Sequence, residues 1–191
     1  MWFLYLGIVL FAAPHLFSVL VPAARDGLKN SWGENRFKAF YAVLSLAGVV
    51  LMALGYWAGR KARGADDFLD LPSGLSRHFI MAMIFLGFVL IFSAQSRSHI
   101  RLWLKQPFSL GIILWSLGHL LANGRASVVP IFATFFVIAV FDAGLSFARG
   151  KVPDFEPRWS HDIRGIAVAI VVAMVFVLWF HPYVLGIPLV S

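Results

Sequence analysis

The sequence predicts an all-α integral membrane protein, a polytopic bundle of about six transmembrane helices. Three observations lead to this prediction. First, 60% of the 191 residues are hydrophobic and only 13% are charged, whereas soluble domains carry about 25% charged residues. Second, apolar segments long enough to span a bilayer recur along the chain. Third, no connection between them is long enough to form a domain, so residues 1–191 are predicted to form a single transmembrane domain.

Six apolar segments are interpreted as spans, because spanning needs roughly 20 apolar residues, with about 17 as the lower limit. They are Trp2–Ala24, Phe40–Gly59, His78–Gln95, Pro107–Ala122, Val128–Ala148 and Gly165–Leu185. The fourth begins with Pro107, and proline is favoured in the first turn of a helix. It is followed by Asn123-Gly124, and these residue types are favoured just after the C-terminal end. It is also short, and the bundle has five spans if this segment is re-entrant.

The first segment ends in small residues, as secretory signal peptides do. No basic residue precedes its apolar part, which exceeds the ~7–15 residues of a signal peptide, so we expect an uncleaved span. Pro14 within it is expected to bend the helix and to free a carbonyl that neighbouring helices re-satisfy. In the second span, Ser45 and Gly48 form a small-residue face that is typical of helix packing.

The sixteen Lys and Arg residues are distributed unequally between the two sides of the predicted bundle. Eleven lie in the first, third and fifth connections, and five lie in the second and fourth. The positive-inside rule therefore predicts that the odd-numbered connections are cytoplasmic and that both termini are outside. The net charge of +7 is attributed to contact with anionic membrane lipid and not to nucleic acid. Because the chain has no cysteine, a metal would be ligated by His, Asp or Glu.

Two histidines lie deep within predicted spans, His15 in the first and His119 in the fourth. At 1.5 Å per residue they lie roughly 20 Å from the outer end and roughly 18 Å from the inner end, which is a similar depth in a core of ~30 Å. Two imidazoles facing each other can ligate one haem iron axially, whereas two histidines alone make a poor zinc site. Alternatively, each histidine hydrogen-bonds a carbonyl or a serine of a neighbouring helix. Ser18 shares the helix face of His15, and Trp115 shares that of His119.

Asp142 is a third ionisable group at depth, about two turns inside the cytoplasmic edge of span five. It is interpreted as the ion-pair partner of an arginine from a neighbouring connection or, alternatively, as a proton relay or a partner for a ligand's positive group. The remaining histidines lie at span ends or in connections and are expected to be solvated or interfacial. They are His78, His99, His161 and His181.

The run PxxxGxxxWxxxHLLANG at Pro107–Gly124 resembles the NnrU family of bacterial membrane proteins. The resemblance covers nearly the whole chain. Further residues that carry it are His15, Ser18, Arg25, Tyr41, Ser45 and Asp142. It implies a multi-pass protein of the bacterial inner (cytoplasmic) membrane with a redox or gas-related role that supports nitric oxide reduction in denitrification.

The NnrU family is similar to zeta-carotene isomerase, a membrane haem b enzyme that isomerises a polyene double bond. By this resemblance the haem ligands correspond to His15 and His119. Ser18 and Trp115, which share the helix faces of these histidines, are the predicted neighbours of the cofactor. Alternatively, Trp115 serves helix packing, which its position favours. The implied ligands and partners are haem b, nitric oxide or a hydrophobic small molecule, and a membrane protein such as a nitric oxide reductase. The isomerase has a cysteine ligand in one redox state, and this chain departs from it because it has no cysteine.

Two other functions remain open from the residues alone. The first is a cofactor-free assembly factor or membrane scaffold whose histidines serve helix packing. The second is a methyltransferase of the isoprenylcysteine type, since Lys105–Gly111 keeps the Pro-to-Gly spacing of the RHPxYxG-like turn in those enzymes. The arginine, histidine and tyrosine of that turn are all replaced, and no paired-acid motif follows.

Overall fold

The computed structural model describes residues 1–60, 77–150 and 152–189, and in these ranges the chain is helical with no β-strand. The helices are α1 (Trp2–Leu20), α2 (Pro22–Trp32), α3 (Glu34–Arg60), α4 (Arg77–Ser93), α5 (His99–Leu104), α6 (Pro107–Ala122), α7 (Val129–Ala148) and α8 (Trp159–Val175), which continues as a π-helical segment over Phe176–Leu185.

Among the helices that the structure describes, four are long and apolar enough to cross a membrane. They are α1, α3, α7 and the helix from Trp159 to Leu185 that α8 and the π-helical segment form together. Two further apolar helices, α4 and α6, are shorter. The prediction of an all-α, multi-pass membrane protein is confirmed. The bounds of α6 coincide with the predicted fourth span, and those of α7 begin one residue later than predicted.

The first helix ends four residues earlier than predicted. The backbone turns at Val21, with φ −125° and ψ 62°, because proline at the next position disfavours the helical conformation of the residue before it. Pro22 then begins α2, where its missing N–H leaves no hydrogen bond unmade. Helix α1 continues through Pro14, and the connection that follows α1 is largely helical.

The residues group into two compact units that alternate along the chain. The described part of the first unit comprises residues 1–60 and 119–145, and that of the second comprises residues 77–118, 146–150 and 152–189.

In the first unit, α1 and α3 pack against each other in antiparallel fashion along a row of glycines. A Cβ atom added to Gly7 would lie 2.6 Å from the Gly48 carbonyl oxygen, and one added to Gly48 would lie 2.7 Å from the Phe11 nitrogen. Such contacts are closer than side chains allow, so the two backbones touch here, as small residues permit in membrane helices. Leu4, Phe11 and Met52 form the buried cluster beside this row.

In the second unit, glycines likewise allow close backbone contact between helices. A Cβ atom on Gly111 of α6 would lie 2.6 Å from the Gly87 carbonyl oxygen of α4, and one on Gly165 of α8 would lie 2.9 Å from Ser93 Oγ. Helix α5 is capped by Ser98, whose hydroxyl accepts a hydrogen bond from the Arg101 N–H. The contact of Gly165 with Ser93 shows that α4 and α8, which correspond to predicted spans three and six, pack closely within this unit.

Candidate functional site

His15 lies on α1 in the first unit, partly buried between two aromatic rings. Its imidazole stacks on Phe11, with 4.1 Å between ring centroids and an interplanar angle of 25°. On α3, the ring of Tyr41 lies 5.0 Å from the imidazole at a tilt of 57°. The antiparallel pairing of α1 with α3 brings Tyr41 to this position, since Gly48, which touches Phe11, lies two turns after Tyr41 on α3.

The tautomer of His15 follows from its hydrogen bond. Nδ1 lies 2.7 Å from the carbonyl oxygen of Phe11, one helical turn earlier. A carbonyl oxygen can only accept, so Nδ1 carries the proton and Nε2 of the neutral ring carries a lone pair. Histidines that ligate metals have this arrangement, in which a hydrogen bond at one nitrogen fixes the tautomer and orients the other nitrogen.

Hydroxyl groups of α1 and α3 lie beside His15. The Tyr41 phenol is next to the Ser18 hydroxyl and within electrostatic range of Asp142 on α7. Ser45 follows Tyr41 by one turn on the same face of α3. Ser18 Oγ and Ser45 Oγ are both enclosed. The Tyr41 phenol is the polar neighbour of Ser18, whereas Ser45 Oγ has no hydrogen-bond partner within the described residues.

Enclosed hydroxyls without a partner are unfavourable in an apolar surrounding, at about 1–3 kcal/mol each. Natural structures usually supply a partner to such groups, in the form of protein, water or a ligand. Three of the residues that carried the family resemblance, Ser18, Tyr41 and Ser45, thus lie together with His15 at one level of the α1–α3 pair. We call these four residues the polar cluster.

His119 lies near the end of α6, and the structure assigns it to the first unit. Its imidazole is stacked on the ring of Phe132 in α7, with centroids 4.2 Å apart and an interplanar angle of 11°. One turn further along α7, Phe135 contacts Phe11, with centroids 5.0 Å apart. Both predicted ligands are therefore linked to the same face of α7. His119 contacts Phe132 itself, whereas His15 contacts Phe11, which in turn contacts Phe135.

Trp115 is the one predicted site residue that belongs to the second unit. A Cβ atom on Gly87 of α4 would lie 3.0 Å from the Trp115 nitrogen and 3.2 Å from its Cβ. Trp115 thus takes part in the close approach of α6 to α4, which is the packing role that its helical position favoured. Its predicted place beside a cofactor stays a prediction.

The donor set fits a haem iron better than a structural zinc ion. In residues 1–60, 77–150 and 152–189, no three His, Asp or Glu side chains group in a way that could hold a metal ion, so a four-ligand zinc site is not formed there. A haem iron needs only one or two axial ligands from the protein. His15 fits that role, because its Nδ1 is engaged by the backbone and its Nε2 is the basic nitrogen.

A second polar constellation, in the second unit, was missed by the sequence reasoning. Asp162 of α8 is only 4% exposed, and its carboxylate accepts hydrogen bonds from the His99 N–H at 3.1 Å, the His99 ring Nδ1 at 2.7 Å and the Ile100 N–H at 3.2 Å. The His99 ring also stacks on Trp159, with centroids 4.0 Å apart.

His99 was expected to be solvated or interfacial. Its side chain is only 16% exposed and a buried carboxylate from another helix binds its ring, so it is not a solvated residue, and its interfacial position stays a prediction. The local sequence signals the start of α5 through Ser98 at the N-cap. It contains no signal for Asp162, which lies 63 residues after His99. His161 likewise accepts a hydrogen bond from the Arg97 N–H at Nδ1, at 3.0 Å.

Comparison with known proteins gives one family. The family model described as NnrU protein matches residues 3–189, nearly the whole chain. No curated protein and no solved structure matches. The match covers both predicted ligands, the polar cluster and the PxxxGxxxWxxxHLLANG run of Pro107–Gly124. The chain therefore belongs to the NnrU family.

Proposed function

We propose that this NnrU family protein binds haem b with His15 and His119 as axial ligands. Its role would be redox or gas-related, either in support of nitric oxide reduction in denitrifying bacteria or in the isomerisation of a lipid-soluble polyene. When bound, the haem supplies an iron that can change oxidation state and can bind a small ligand. The chain's own residues orient the ligands, exclude water and offer polar groups at one point of the apolar interior.

The observation that carries the proposal is the hydrogen bond from His15 Nδ1 to the Phe11 carbonyl. It leaves Nε2 of the neutral imidazole free to ligate a metal. The chain has no cysteine, so no thiolate competes for the role of ligand. The same hydrogen bond would also satisfy the ring of a histidine that serves packing, so the spectral test below distinguishes the two roles. The shared contact of His119 and Phe11 with α7 supports the pairing of the two histidines.

The polar cluster places hydroxyl groups next to His15 in an otherwise apolar interior. Ser18 and Ser45 have enclosed hydroxyls, and Tyr41 places a phenol next to Ser18 and its ring against His15. These groups can donate hydrogen bonds to a propionate, a water molecule or a small polar ligand. Asp142, which lies within electrostatic range of Tyr41, can hold or accept a proton next to them.

The proposed membrane arrangement has six spans and both termini outside, in the bacterial inner membrane. Four helices have full spanning length, and α4 and α6 are the short ones. Eleven of the sixteen basic residues lie in the odd-numbered connections, which supports cytoplasmic placement of those connections. Short helices are tolerated where the bilayer thins or where the helix tilts little.

The test is the absorbance spectrum of the full chain, expressed with haem supplied and purified in detergent. Oxidised and dithionite-reduced samples should show a Soret band and sharp reduced α and β bands. His15→Ala and His119→Ala should each lose or strongly alter these bands. His78→Ala is the matched control, because His78 is an exposed histidine at the start of α4, and its spectrum should equal that of the wild type.

The same samples separate the two roles. A shift of the Soret band of the reduced protein on addition of nitric oxide supports the gas-related role. A shift with a polyene such as a carotene precursor, together with a change in its isomer composition, supports isomerisation.

A cofactor-free scaffold is the second candidate, and one observation favours it. Both imidazoles are stacked flat on phenylalanine rings, His15 on Phe11 and His119 on Phe132, as histidines used for packing would be. On this reading a folded protein shows no Soret band even after titration with haem, and the two alanine variants lose only stability.

A further inference from the structure

A basic pocket lies at one end of the second unit and contains none of the residues of the polar cluster. Its volume is about 320 Å³, within the range of small-molecule sites. Arg101, Lys105 and Gln106 supply its polar lining. Its apolar lining comes from Ala94, Pro107, Phe108, Val152 and Pro153.

The two cations of this pocket are not neutralised by a carboxylate. Within the described residues, neither Arg101 nor Lys105 takes part in an ion pair. Asp154 and Glu156 are exposed on the adjoining connection and do not line the pocket. Two cations that converge on one pocket without an acid attract an anion.

The local structure orients the Arg101 guanidinium and fixes the backbone at Lys105. The Arg101 guanidinium lies over the ring of Phe155, 5.4 Å from its centroid, a cation–π contact that orients the planar group. Lys105 has φ 62° and ψ −44°, and the Gln106 N–H donates to the Leu104 carbonyl at 2.6 Å. This is a γ-turn with positive φ, a rare and strained conformation, and strain of this kind is concentrated at ligand sites.

The surroundings of the pocket are those of a membrane–water boundary. The pocket lies between the end of apolar helix α4 and the start of apolar helix α6. Trp103 and Trp159 are 66% and 65% exposed near this end of the unit, and exposed tryptophans mark the headgroup level of a bilayer. Phe108 and Val152, which line the pocket, are also exposed, so apolar surface adjoins the cations.

We propose that this pocket binds the phosphate headgroup of an anionic phospholipid. A lipid accounts for both parts of the lining, because its phosphate meets Arg101 and Lys105 while its glycerol and first acyl carbons meet Phe108 and Val152. A free anion would leave the exposed apolar lining unused. The pocket lies in the third connection, whose basic residues the charge distribution assigns to the cytoplasmic face, where anionic lipid concentrates.

The experiment titrates the full chain in neutral detergent with phosphatidylglycerol or phosphatidylcholine and measures bound lipid by native mass spectrometry. The wild type should bind phosphatidylglycerol in preference to phosphatidylcholine. Arg101→Gln and Lys105→Asn should each weaken phosphatidylglycerol binding about fivefold, and the double variant about 25-fold. Asparagine is chosen at position 105 because it tolerates positive φ better than other side chains.

Arg97→Gln is the matched control, because Arg97 is an exposed arginine of the same connection that does not line the pocket; its binding should equal that of the wild type. Equal affinity for the two lipids, or an equal loss in Arg97→Gln, would overturn the proposal in favour of general surface attraction. Displacement of phosphatidylglycerol by millimolar inorganic phosphate would show a free-anion site instead. Arg101→Gln alone decides the matter if the strained turn does not tolerate a change at Lys105.

Discussion

His15 donates a hydrogen bond from its ring Nδ1 to the carbonyl oxygen of Phe11, at 2.7 Å, while its ring stacks on that of the same phenylalanine. One neighbour in the same helix thus determines both the tautomer and the orientation of the imidazole. The carbonyl is a backbone group, so the tautomer depends on the helix at Phe11, whereas the ring orientation also depends on the Phe11 side chain.

The first prediction concerns this tautomer. In protein labelled with ¹⁵N-histidine and free of haem, Nδ1 of His15 should carry a proton, because Nδ1 must be protonated to donate to the Phe11 carbonyl. ¹⁵N NMR distinguishes protonated from unprotonated ring nitrogens, and His15→Gln assigns the signal by removing it. Exposed His78 serves as the reference signal. A His15 protonated only at Nε2 would contradict the structure.

The second prediction concerns the enclosed hydroxyls of the polar cluster. Ser45→Ala should leave the stability of the haem-free protein unchanged or raise it by up to ~1 kcal/mol, because removing an unpaired buried polar group relieves its desolvation. Ser18→Ala, which removes the neighbour of the Tyr41 phenol, should be neutral or destabilising by up to ~1 kcal/mol. The measurement is the unfolding midpoint in mixed micelles. Ser116→Ala is the control: Ser116 Oγ donates to the Ile112 carbonyl at 2.6 Å, so its removal should be neutral or destabilising. A loss above ~1 kcal/mol at Ser18 or Ser45 would reveal a bound water or ligand.

The third prediction tests the glycine row between α1 and α3. Gly48→Ala should destabilise the protein by about 1–3 kcal/mol, because the added methyl would meet the Phe11 backbone at 2.7 Å. Gly144→Ala in α7 is the matched control, since a Cβ there meets nothing within 4 Å among the described residues. That control should gain about 0.5–1 kcal/mol from the higher helix propensity of alanine. Equal effects of the two substitutions on thermal unfolding would refute the close packing at Gly48.

The fourth prediction concerns the buried carboxylate that joins α8 to α5. Asp162→Asn should destabilise by about 1.5–3 kcal/mol, because the amide replaces an oxygen that accepts charge-assisted hydrogen bonds with a donor group. Asp26→Asn is the control, since Asp26 forms an exposed ion pair with Arg25, and such pairs contribute only about 0–1 kcal/mol. Denaturant titration compares the two. A loss at Asp162 no larger than at Asp26 would remove the capping role of this carboxylate.

The fifth prediction tests the proposed topology. Because the chain has no cysteine, each introduced cysteine is its only thiol. Gly27→Cys, at a position where a Cβ meets nothing within 4 Å of the described chain, should be protected from a membrane-impermeant maleimide in spheroplasts. Ala126→Cys, between α6 and α7, should be labelled. Protection of both positions would instead place α6 as a re-entrant segment.

Much of the fold was predictable because it follows from local composition. The length and polarity of a segment decide whether it can span a bilayer, so the apolar helices were predicted with bounds within a few residues at most ends. Helix α6 matched at both ends because Pro107 and the Asn123-Gly124 pair mark its limits chemically. The early end of α1 is also encoded locally, because Pro22 disfavours the helical conformation at Val21.

The sequence by itself determined the class of the protein, its family, the two deep histidines and the glycine positions where helices can approach. Only the tertiary structure decided the partners of these groups: that Tyr41 and Ser18 meet beside His15, that His119 lies on Phe132, and that Asp162 binds His99. The physical reason is that helix periodicity defines which residues share a face, whereas the rotation and pairing of helices depend on close packing between segments distant in sequence. The backbone contacts at Gly7 and Gly48 fix that rotation for α1 and α3, and with it the place of the polar cluster.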